Sequence, residues 1–303
     1  MTDALFIFNP AADRGHAVQN ARSLRMFVDG LGSADWVVTE SSGHAMHMAG
    51  QAAREGYETV VALGGDGTAH EVINGLMSIS DSERPTLGIV PVGSGNDLAF
   101  NSGVAMDSLV AIERSLSGTL GSLDVGVITD GAGRTRYFGN VAGMFFDAAS
   151  LIQSKRITRL HGFIMYLTAV IRTIIENYDT IQIDLTIDGK SQALDLLMLT
   201  LGNGAREGGG FMVTPDARND DGVLDYLMVT SISRLMMIRL LPEVMRGAHA
   251  RFACVSLGKF RSLHLQADQA VPIQLDGELW ASYKDDVQQL SVEVLPGALR
   301  MRR

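Results

Sequence analysis

Cysteine is almost absent from this chain of 303 residues, with Cys254 as its single example. One cysteine can form neither an intrachain disulfide nor a cysteine-based structural zinc site, and this fits a reducing compartment. The opening residues, MTDALFIFNP, have no basic segment followed by a long apolar one, so they do not resemble a secretory signal. We therefore expect the protein to be cytoplasmic.

Charged residues are also scarce, at 19% of the chain, and their balance gives a formal net charge of −9. Such a chain lacks the basic footprint of nucleic-acid binding, so we expect no nucleic acid partner. The longest apolar run, residues 160–171, is shorter than the about 20 residues that cross a bilayer. We expect any membrane contact to be peripheral and transient, with Lys155, Arg156 and Arg159 as one candidate contact.

The first part of the chain, residues 1–123, alternates continuous apolar segments with amphipathic ones. Segments such as TVVAL and TLGIVPV predict buried strands, and the intervening segments predict helices. Buried strands separated by helices indicate a parallel sheet covered on both faces. We predict a doubly wound α/β domain of the Rossmann or flavodoxin type, with ligands at the carboxyl ends of the strands.

From residue 124 the pattern changes to short strand-like segments. TIQIDLTIDGK, residues 180–190, alternates apolar and polar residues and ends in an Asp-Gly turn. Further strand-like segments follow, with helical patterns over residues 155–178 and 233–247. This succession predicts an antiparallel β-sandwich domain over residues 124–292, with the tail, residues 293–303, packed back on the first domain.

Two glycine-rich turns follow predicted strands of the first domain. They are GGDGT, residues 64–68, and PVGSGNDLA, residues 91–99. Glycine allows a close backbone approach, and a helix N-terminus offers N–H groups to anions, so both turns favour phosphate binding. An ordinary strand-to-helix turn is the alternative, but three glycines around one aspartate exceed what such a turn needs. The candidate residues are Gly64, Gly65, Asp66, Gly67, Thr68 and Ser94.

Other signatures of nucleotide and acyl chemistry are missing. The sequence contains no G-x-x-x-x-G-K-[ST], no H-R-D and D-F-G pair and no G-x-S-x-G, and neither glycine turn completes G-x-G-x-x-G. These absences exclude P-loop enzymes, protein kinases and hydrolases with a nucleophile elbow.

Carboxylates gather in two later segments. Residues 203–227 hold four aspartates, a ligand type that hard cations prefer, but an EF-hand register ends at Met228 instead of glutamate. A solvated acidic turn is an equally good interpretation. In the segment DGE, residues 276–278, Glu278 is a candidate general base if it faces a cleft, and a plain hairpin turn is the alternative.

Taken in order, these motifs resemble the diacylglycerol kinase catalytic-domain superfamily, in particular its small bacterial soluble lipid kinases. The resemblance begins at Asn9-Pro10, continues through both glycine turns, Asp124 and Asn140, and ends with PDARNDDGVLD, residues 215–225, and DGE. GGDGT alone also occurs in NAD kinases and phosphofructokinases. The two late motifs are more specific to lipid kinases.

The resemblance implies transfer of the γ-phosphate of ATP to a lipid hydroxyl, with diacylglycerol as the leading acceptor. ATP would lie in a cleft between the domains, against residues 65–71 and Ser94, near Asn9 and Thr39. Glu71 lies within that range and is also predicted to bind ATP. Glu278 would be the general base, with Asp124 and Asp276 as further acidic residues of the catalytic site.

The resemblance also implies magnesium. A structural Mg2+ would be held by the carboxylate of Asp221 and the backbone carbonyls of Arg218 and Val223, in a network with Asp66 and Asp97. A second Mg2+ would arrive with ATP and bridge its phosphates to an acidic protein.

The chain departs from the family pattern at two places. Asp13 stands where the family has a glycine, and Met144-Phe145-Phe146 stand near another family glycine. The phenylalanines either narrow the cleft or form part of a lipid groove. Two other functions stay open: a kinase of a soluble acceptor, as in NAD kinases, and a non-catalytic nucleotide or lipid sensor. A homodimer is also possible.

Overall fold

The computed structural model describes residues 3–157, 160, 162–176 and 179–303. The chain forms two compact units: the first contains Met1–Asp124 and Gly297–Arg303, and the second contains Val125–Pro296. Within the described residues, no helix is both long and apolar enough to cross a membrane.

The first unit is built on a parallel sheet with the strand order β2-β1-β3-β4. Its central strands are buried along their whole length, which explains their uninterrupted apolar sequences. The elements, in chain order, are β1 (Ala4–Phe8), α1 (Val18–Asp29), β2 (Ala34–Val38), α2 (His44–Glu55), β3 (Thr59–Gly64), α3 (Asp66–Met77), β4 (Thr86–Pro91), α4 (Asp97–Asn101) and α5 (Ser108–Ser117).

The second unit is a β-sandwich with helices on one face, which confirms the predicted fold class. Its elements are β5 (Leu120–Asp130), which starts in the first unit, β6 (Thr135–Phe138), β7 (Val141–Phe145), α6 (Phe146–Ser154), α7 (Gly162–Glu176), β8 (Ile181–Ile187), β9 (Lys190–Gly202), β10 (Leu224–Thr230), α8 (Arg234–Met245), β11 (Val255–Phe260), β12 (Ser262–Ala267), β13 (Ile273–Leu275), β14 (Glu278–Ala281) and β15 (Gln289–Arg302).

The last strand returns the chain to the first unit. Met301 of β15 pairs in parallel with Leu87 of β4, and the Arg84 guanidinium donates to the carbonyl of Ala298 at 2.9 Å. Before that, β15 pairs with β12 inside the second unit. One strand therefore contributes to both units.

Strands β9 and β10 are apolar on both faces. Leu199 and Leu201 of β9 lie in the sandwich core, whereas Leu197 packs in a second apolar cluster with Val170 of α7 and Leu240 of α8. A register shift between β9 and β10 at Val229/Thr230 accompanies this change of side. Burial on both faces explains why the sequence of β9 does not alternate cleanly.

The sequence predicts a helix over residues 155–178, and the predicted start of this helix is wrong. Lys155 and Arg156 form a turn after α6, a helix that the sequence did not indicate, and α7 begins at Gly162. Arg159 lies outside the described residues. The helix expected at residues 233–247 is present as α8, where the Ser233 side chain accepts the N–H of Met236 at 3.3 Å.

Candidate functional site

The glycine turns of the first unit lie at one edge of its sheet. Because the strands are parallel, the residues that follow β2, β1, β3 and β4 meet at the carboxyl edge. These residues are Thr39, Asn9, Gly65 and Val92. The N–H groups of Thr39, Asn9 and Val92 continue the sheet by donating to the carbonyls of Phe8, Leu63 and Gly64, respectively.

The two glycine turns touch through their backbones. A Cβ atom added to Gly93 would lie 2.4 Å from the Cα of Gly65, and one added to Gly64 would lie 2.2 Å from Thr68 Oγ1. Only glycine fits at such distances. The close approach leaves Gly65 and Gly93 half-buried at the sheet edge, next to the N-terminus of α3 and the exposed Ser94.

Side chains hold this edge in place. Asp66 Oδ1 accepts the N–H of Leu98 at 3.0 Å, and Asn9 Nδ2 donates to Thr68 Oγ1 at 3.0 Å. Asn96, in the left-handed region at φ 53°, closes a ring with the amide and carbonyl of Gly93. The result is a fixed backbone surface whose helix N-terminus can offer N–H groups to an anion.

Glu71 has a structural contact that the sequence did not reveal. Its carboxylate accepts the N–H groups of Gly43 at 2.7 Å and Ala45 at 3.0 Å, at the start of α2. It therefore caps α2 and positions the segment that follows Thr39.

Asp13, which stands where the family has a glycine, adopts a left-handed backbone conformation. Its φ is 48° and its ψ is 43°, in the left-handed region that glycine favours and aspartate tolerates. Arg14 follows at φ 54°. The shape of the turn after β1 therefore does not require glycine here.

Asp124 lies at the end of the first unit and is buried, with its Oδ1 accepting the N–H of Gly297 at 2.6 Å. This hydrogen bond ties the outgoing strand β5 to the returning strand β15.

In the second unit, Asp276 and Gly277 form a two-residue hairpin turn between β13 and β14. Both have positive φ, at 51° and 83°, as a type I′ turn requires. The buried carboxylate of Asp276 accepts the backbone N–H groups of Gly139, Asn140 and Val141 at 2.9, 2.8 and 3.0 Å. Because both of its oxygens hold amides, we interpret Asp276 as a positioning residue instead of a catalytic one.

Glu278 follows this anchored turn and starts β14. Its side chain is 56% exposed and lies 3.5 Å from the ammonium of Lys155. An exposed carboxylate next to a fixed turn has the chemistry of a general base, which is the role that the sequence predicts for Glu278.

The acidic turn at Asp221 is already neutralised by a lysine. Lys259 Nζ lies 2.8 Å from Asp221 Oδ2 and 3.2 Å from Asp225 Oδ2, while Asp221 Oδ1 faces the N–H of Val223 at 3.4 Å. The Arg218 side chain pairs with Asp220. Among the described residues, no three His, Cys, Asp or Glu side chains form a metal centre. Lys259 competes with a cation for Asp221, whereas the two backbone carbonyls of the predicted Mg2+ site, those of Arg218 and Val223, are not tested by these side-chain contacts.

A buried acidic pair lies elsewhere in the second unit. Asp147 is completely enclosed, and its oxygens accept hydrogen bonds from Tyr166 at 3.2 Å, Thr200 at 3.0 Å and Gln274 at 3.3 Å. Burial raises the pKa of Asp147, because the charged form loses its hydration. Glu207 is also buried and hydrogen-bonds to Asp147 and Gln274.

The acidic pair forms the polar end of an apolar cavity of about 80 Å3. Phe146 lines this cavity, whereas Phe145 lies in the sandwich core at φ 61°. Of the two expectations for these phenylalanines, the structure therefore gives Phe146 a place in an apolar groove. The walls come mainly from α7, α8, β9 and β10.

Two sequence families match the chain. The family described as the diacylglycerol kinase catalytic domain matches residues 3–128. The YegS C-terminal NAD kinase beta sandwich-like domain matches residues 140–303. The chain belongs to the family of diacylglycerol kinases and YegS-like lipid kinases.

Individual relatives of this lipid kinase family agree over nearly the whole chain. A relative named as a YegS-like lipid kinase, from Chromohalobacter salexigens, is 31% identical over 80% of this chain and 76% of its own length. A protein named diacylglycerol kinase from Mycobacterium tuberculosis is 28% identical over 97% of this chain and 93% of its own length. A crystal structure of a diacylglycerol kinase from Bacillus anthracis has a TM-score of 0.75 at 21% identity, covers 99% of this chain and 96% of that chain, and so supports the fold.

Sequence reasoning missed the interior of the second unit of this kinase. Asp147 and Glu207 are not among the candidate residues of any motif in the sequence, and Gln274 only precedes the DGE segment. Only their shared burial in one hydrogen-bonded cluster distinguishes them. The sequence did contain one signal for this cluster, because polar residues interrupt segments that are otherwise apolar.

Proposed function

We propose that this kinase transfers the γ-phosphate of ATP to a hydroxyl group of a lipid, with diacylglycerol as the leading acceptor. Membership of the family supports the reaction class. The apolar lining of the cavity in the second unit supports a lipid acceptor, because a polar soluble acceptor gains nothing from apolar walls.

The observation that carries the proposal is the link between this cavity and the turn that precedes Glu278. Gln274 Nε2 donates to Asp147 and Glu207 at the polar end of the cavity, and Gln274 Oε1 accepts the N–H of Gly277 at 2.9 Å. If the tail of a lipid enters the cavity, the polar head of that lipid would therefore lie beside the segment that holds the candidate base.

The chemical step is a single displacement at phosphorus. Glu278 takes the proton of the lipid hydroxyl while its oxygen forms a bond to the γ-phosphorus, and the bond from this phosphorus to the β,γ-bridging oxygen breaks. The products are a lipid phosphate and ADP, with the proton on Glu278. Such transfers depend on positioning and charge stabilisation more than on covalent catalysis.

The glycine edge of the first unit provides the positioning of ATP in this proposal. The backbone at Gly65 and Gly93, the N-terminus of α3 and the hydroxyls of Thr68 and Ser94 are the groups that would contact phosphate oxygens. Mg2+ arriving with ATP would neutralise part of the phosphate charge. A structural Mg2+ on Asp221 and the carbonyls of Arg218 and Val223 stays a prediction, with Lys259 as the competing cation.

The test is phosphate transfer from γ-labelled ATP, with Mg2+, to a panel of lipids in mixed micelles. We expect a labelled lipid with the unaltered protein and none with Glu278→Gln, although the variant binds ATP and melts at the same temperature. Label in soluble NAD instead would support a soluble acceptor, and ATP binding without any turnover would support a sensor. Either result would overturn the proposal.

A further inference from the structure

The helices α7 and α8 are apolar on their outer faces as well as on the faces that line the cavity. In the described part of the second unit, six of the seven exposed large hydrophobic side chains lie on these two helices. An ordinary surface helix carries one apolar stripe that faces the core. The six residues are Ile164 at 62% exposure, Ile171 at 42%, Ile175 at 62%, Leu235 at 77%, Ile238 at 52% and Met245 at 39%.

The spacing of these residues places them on one side of each helix. On α7 they follow each other by seven and four residues, and on α8 by three and seven, which returns to the same face at 3.6 residues per turn. The opposite faces carry Val170 and Leu240, which line the cavity. The two helices pack against each other, so their outer stripes form one surface.

The charges of this surface are mainly positive, although the whole chain has a net charge of −9. Exposed arginines accompany the apolar stripes on both helices, and they are Arg172, Arg234, Arg239 and Arg246. The two acidic residues of these helices have nearby partners. Glu176 accepts a hydrogen bond from Gln153 at 2.6 Å, and Glu243 pairs with Arg251 at 2.7 Å.

We propose that the outer face of α7 and α8, here called the docking face, binds the surface of an anionic phospholipid bilayer. Leucine, isoleucine and methionine side chains enter the boundary between head groups and acyl chains, and the arginines contact lipid phosphates. A twofold-symmetric dimer through this face would place arginines against arginines, whereas an anionic bilayer complements both the arginines and the apolar side chains.

The docking face also lies on the outside of the cavity wall. The same two helices separate the cavity from solvent, so a bilayer bound here lies one helix layer from the cavity. The proposal rests on the proposed function for its biological purpose, since a kinase of membrane lipids has to reach its acceptor. Its physical basis, the exposed residues and charges, is independent of turnover.

Binding is measured by sedimentation of the full chain with vesicles of phosphatidylcholine alone, or of phosphatidylcholine with phosphatidylglycerol, without ATP. We expect binding to the anionic vesicles, weakened at high salt. Leu235→Ser with Ile238→Ser should lower the partition coefficient at least about tenfold, because two apolar side chains that would enter the bilayer are lost. Arg172→Gln with Arg246→Gln should lower it on anionic vesicles only.

Matched variants come from the first unit. Met26→Ser removes an apolar side chain that is 65% exposed, and Arg25→Gln removes an arginine whose side chain is 59% exposed. Both should bind vesicles like the unaltered protein, and all variants should melt at the same temperature.

The proposal is overturned if the unaltered protein does not bind anionic vesicles, or if the first-unit variants lose as much binding as the docking-face variants. A dimer that Leu235→Ser dissociates, without any vesicle binding, would instead assign this face to a second copy. Vesicle binding without lipid phosphorylation would keep the docking face and reject the lipid kinase reaction. If the docking-face variants keep their activity on a short-chain, monomeric diacylglycerol, this result would support both the docking face and the lipid kinase reaction.

Discussion

Gln274 Nε2 lies 3.3 Å from Asp147 Oδ2 at the polar end of the apolar cavity. The other end of the same side chain holds the amide of Gly277 in the turn before Glu278. One glutamine therefore connects the polar end of the cavity to the turn that precedes the candidate catalytic base.

Removing this connection should reduce turnover without unfolding the protein. We expect Gln274→Leu to lower kcat by about ten- to a hundredfold, because a base displaced by about 1 Å loses its alignment. The KM for ATP should change little, since Gln274 is in the second unit. Gln266→Leu, on β12, is the control and should keep full activity. An unchanged kcat in Gln274→Leu would show that the link does not position Glu278.

Glu278 itself should matter for chemistry and not for stability. We expect Glu278→Gln to lower kcat by about 10²- to 10⁴-fold, the usual contribution of a general base. Its free energy of unfolding should stay within about 0.5 kcal/mol, because the side chain is largely exposed. Lys155→Met removes the neighbouring charge and tests whether the ion pair is needed. Steady-state kinetics and urea unfolding are the measurements, and retained turnover in Glu278→Gln would remove its assigned role.

The glycine edge should not tolerate a methyl group. We expect Gly93→Ala to destabilise the protein by about 1–3 kcal/mol, because its Cβ would overlap the backbone of Gly65. ATP binding should weaken as the two turns separate. Gly50→Ala is the matched control in α2, where the new Cβ would lie 3.4 Å from Ser78 Oγ. The measurements are thermal unfolding and ATP titration. Equal stability and equal ATP affinity of the two variants would contradict the prediction.

Asp147 should make the folded protein less stable as the pH rises. Because burial raises the pKa of Asp147, the folded protein keeps a proton that the unfolded chain releases above about pH 3.9. The folded state therefore loses stability as the pH rises from that value through the raised pKa. Asp147→Asn should flatten this decline in urea unfolding between about pH 4 and 8.

Asp130 provides a control of opposite sign for that experiment. Burial by itself raises the pKa of Asp130, but hydrogen bonds from the backbone N–H and guanidinium of Arg134 outweigh it and lower the pKa. Its contribution to stability is present above its ordinary pKa and is lost as the pH falls through the lowered value. Asp130→Asn should therefore change only the acidic side of the profile. Identical profiles for both variants would argue against the interpretation of Asp147.

Lys259 should make the acidic turn independent of magnesium. If Lys259 is the cation that these carboxylates hold, the melting temperature of the unaltered protein should be the same with Mg2+ and with EDTA, in the absence of ATP. Lys259→Met should be destabilised, because Asp221 and Asp225 then repel each other, and Mg2+ should partly restore its melting temperature. A clear loss of stability of the unaltered protein in EDTA would instead place a structural Mg2+ in the fold.

The sequence by itself determined the parallel sheet, the sandwich and the glycine edge. Their signals are local: apolar runs such as TVVAL, strict alternation over residues 180–187, and glycines directly after strands. The DGE segment was visible for the same reason, because an Asp-Gly pair predicts a hairpin turn wherever it separates two strands.

Only the tertiary structure decided which polar groups share an environment. Asp147, Glu207 and Gln274 are separated by 60 or more residues, yet burial brings them into one cluster whose desolvation changes the pKa of Asp147. Lys259 likewise meets Asp221 through the pairing of β10 with β11. Apolar periodicity shows which side of a strand is buried, but it does not show which strand or helix covers that side, and the interior and the docking face depend on that covering.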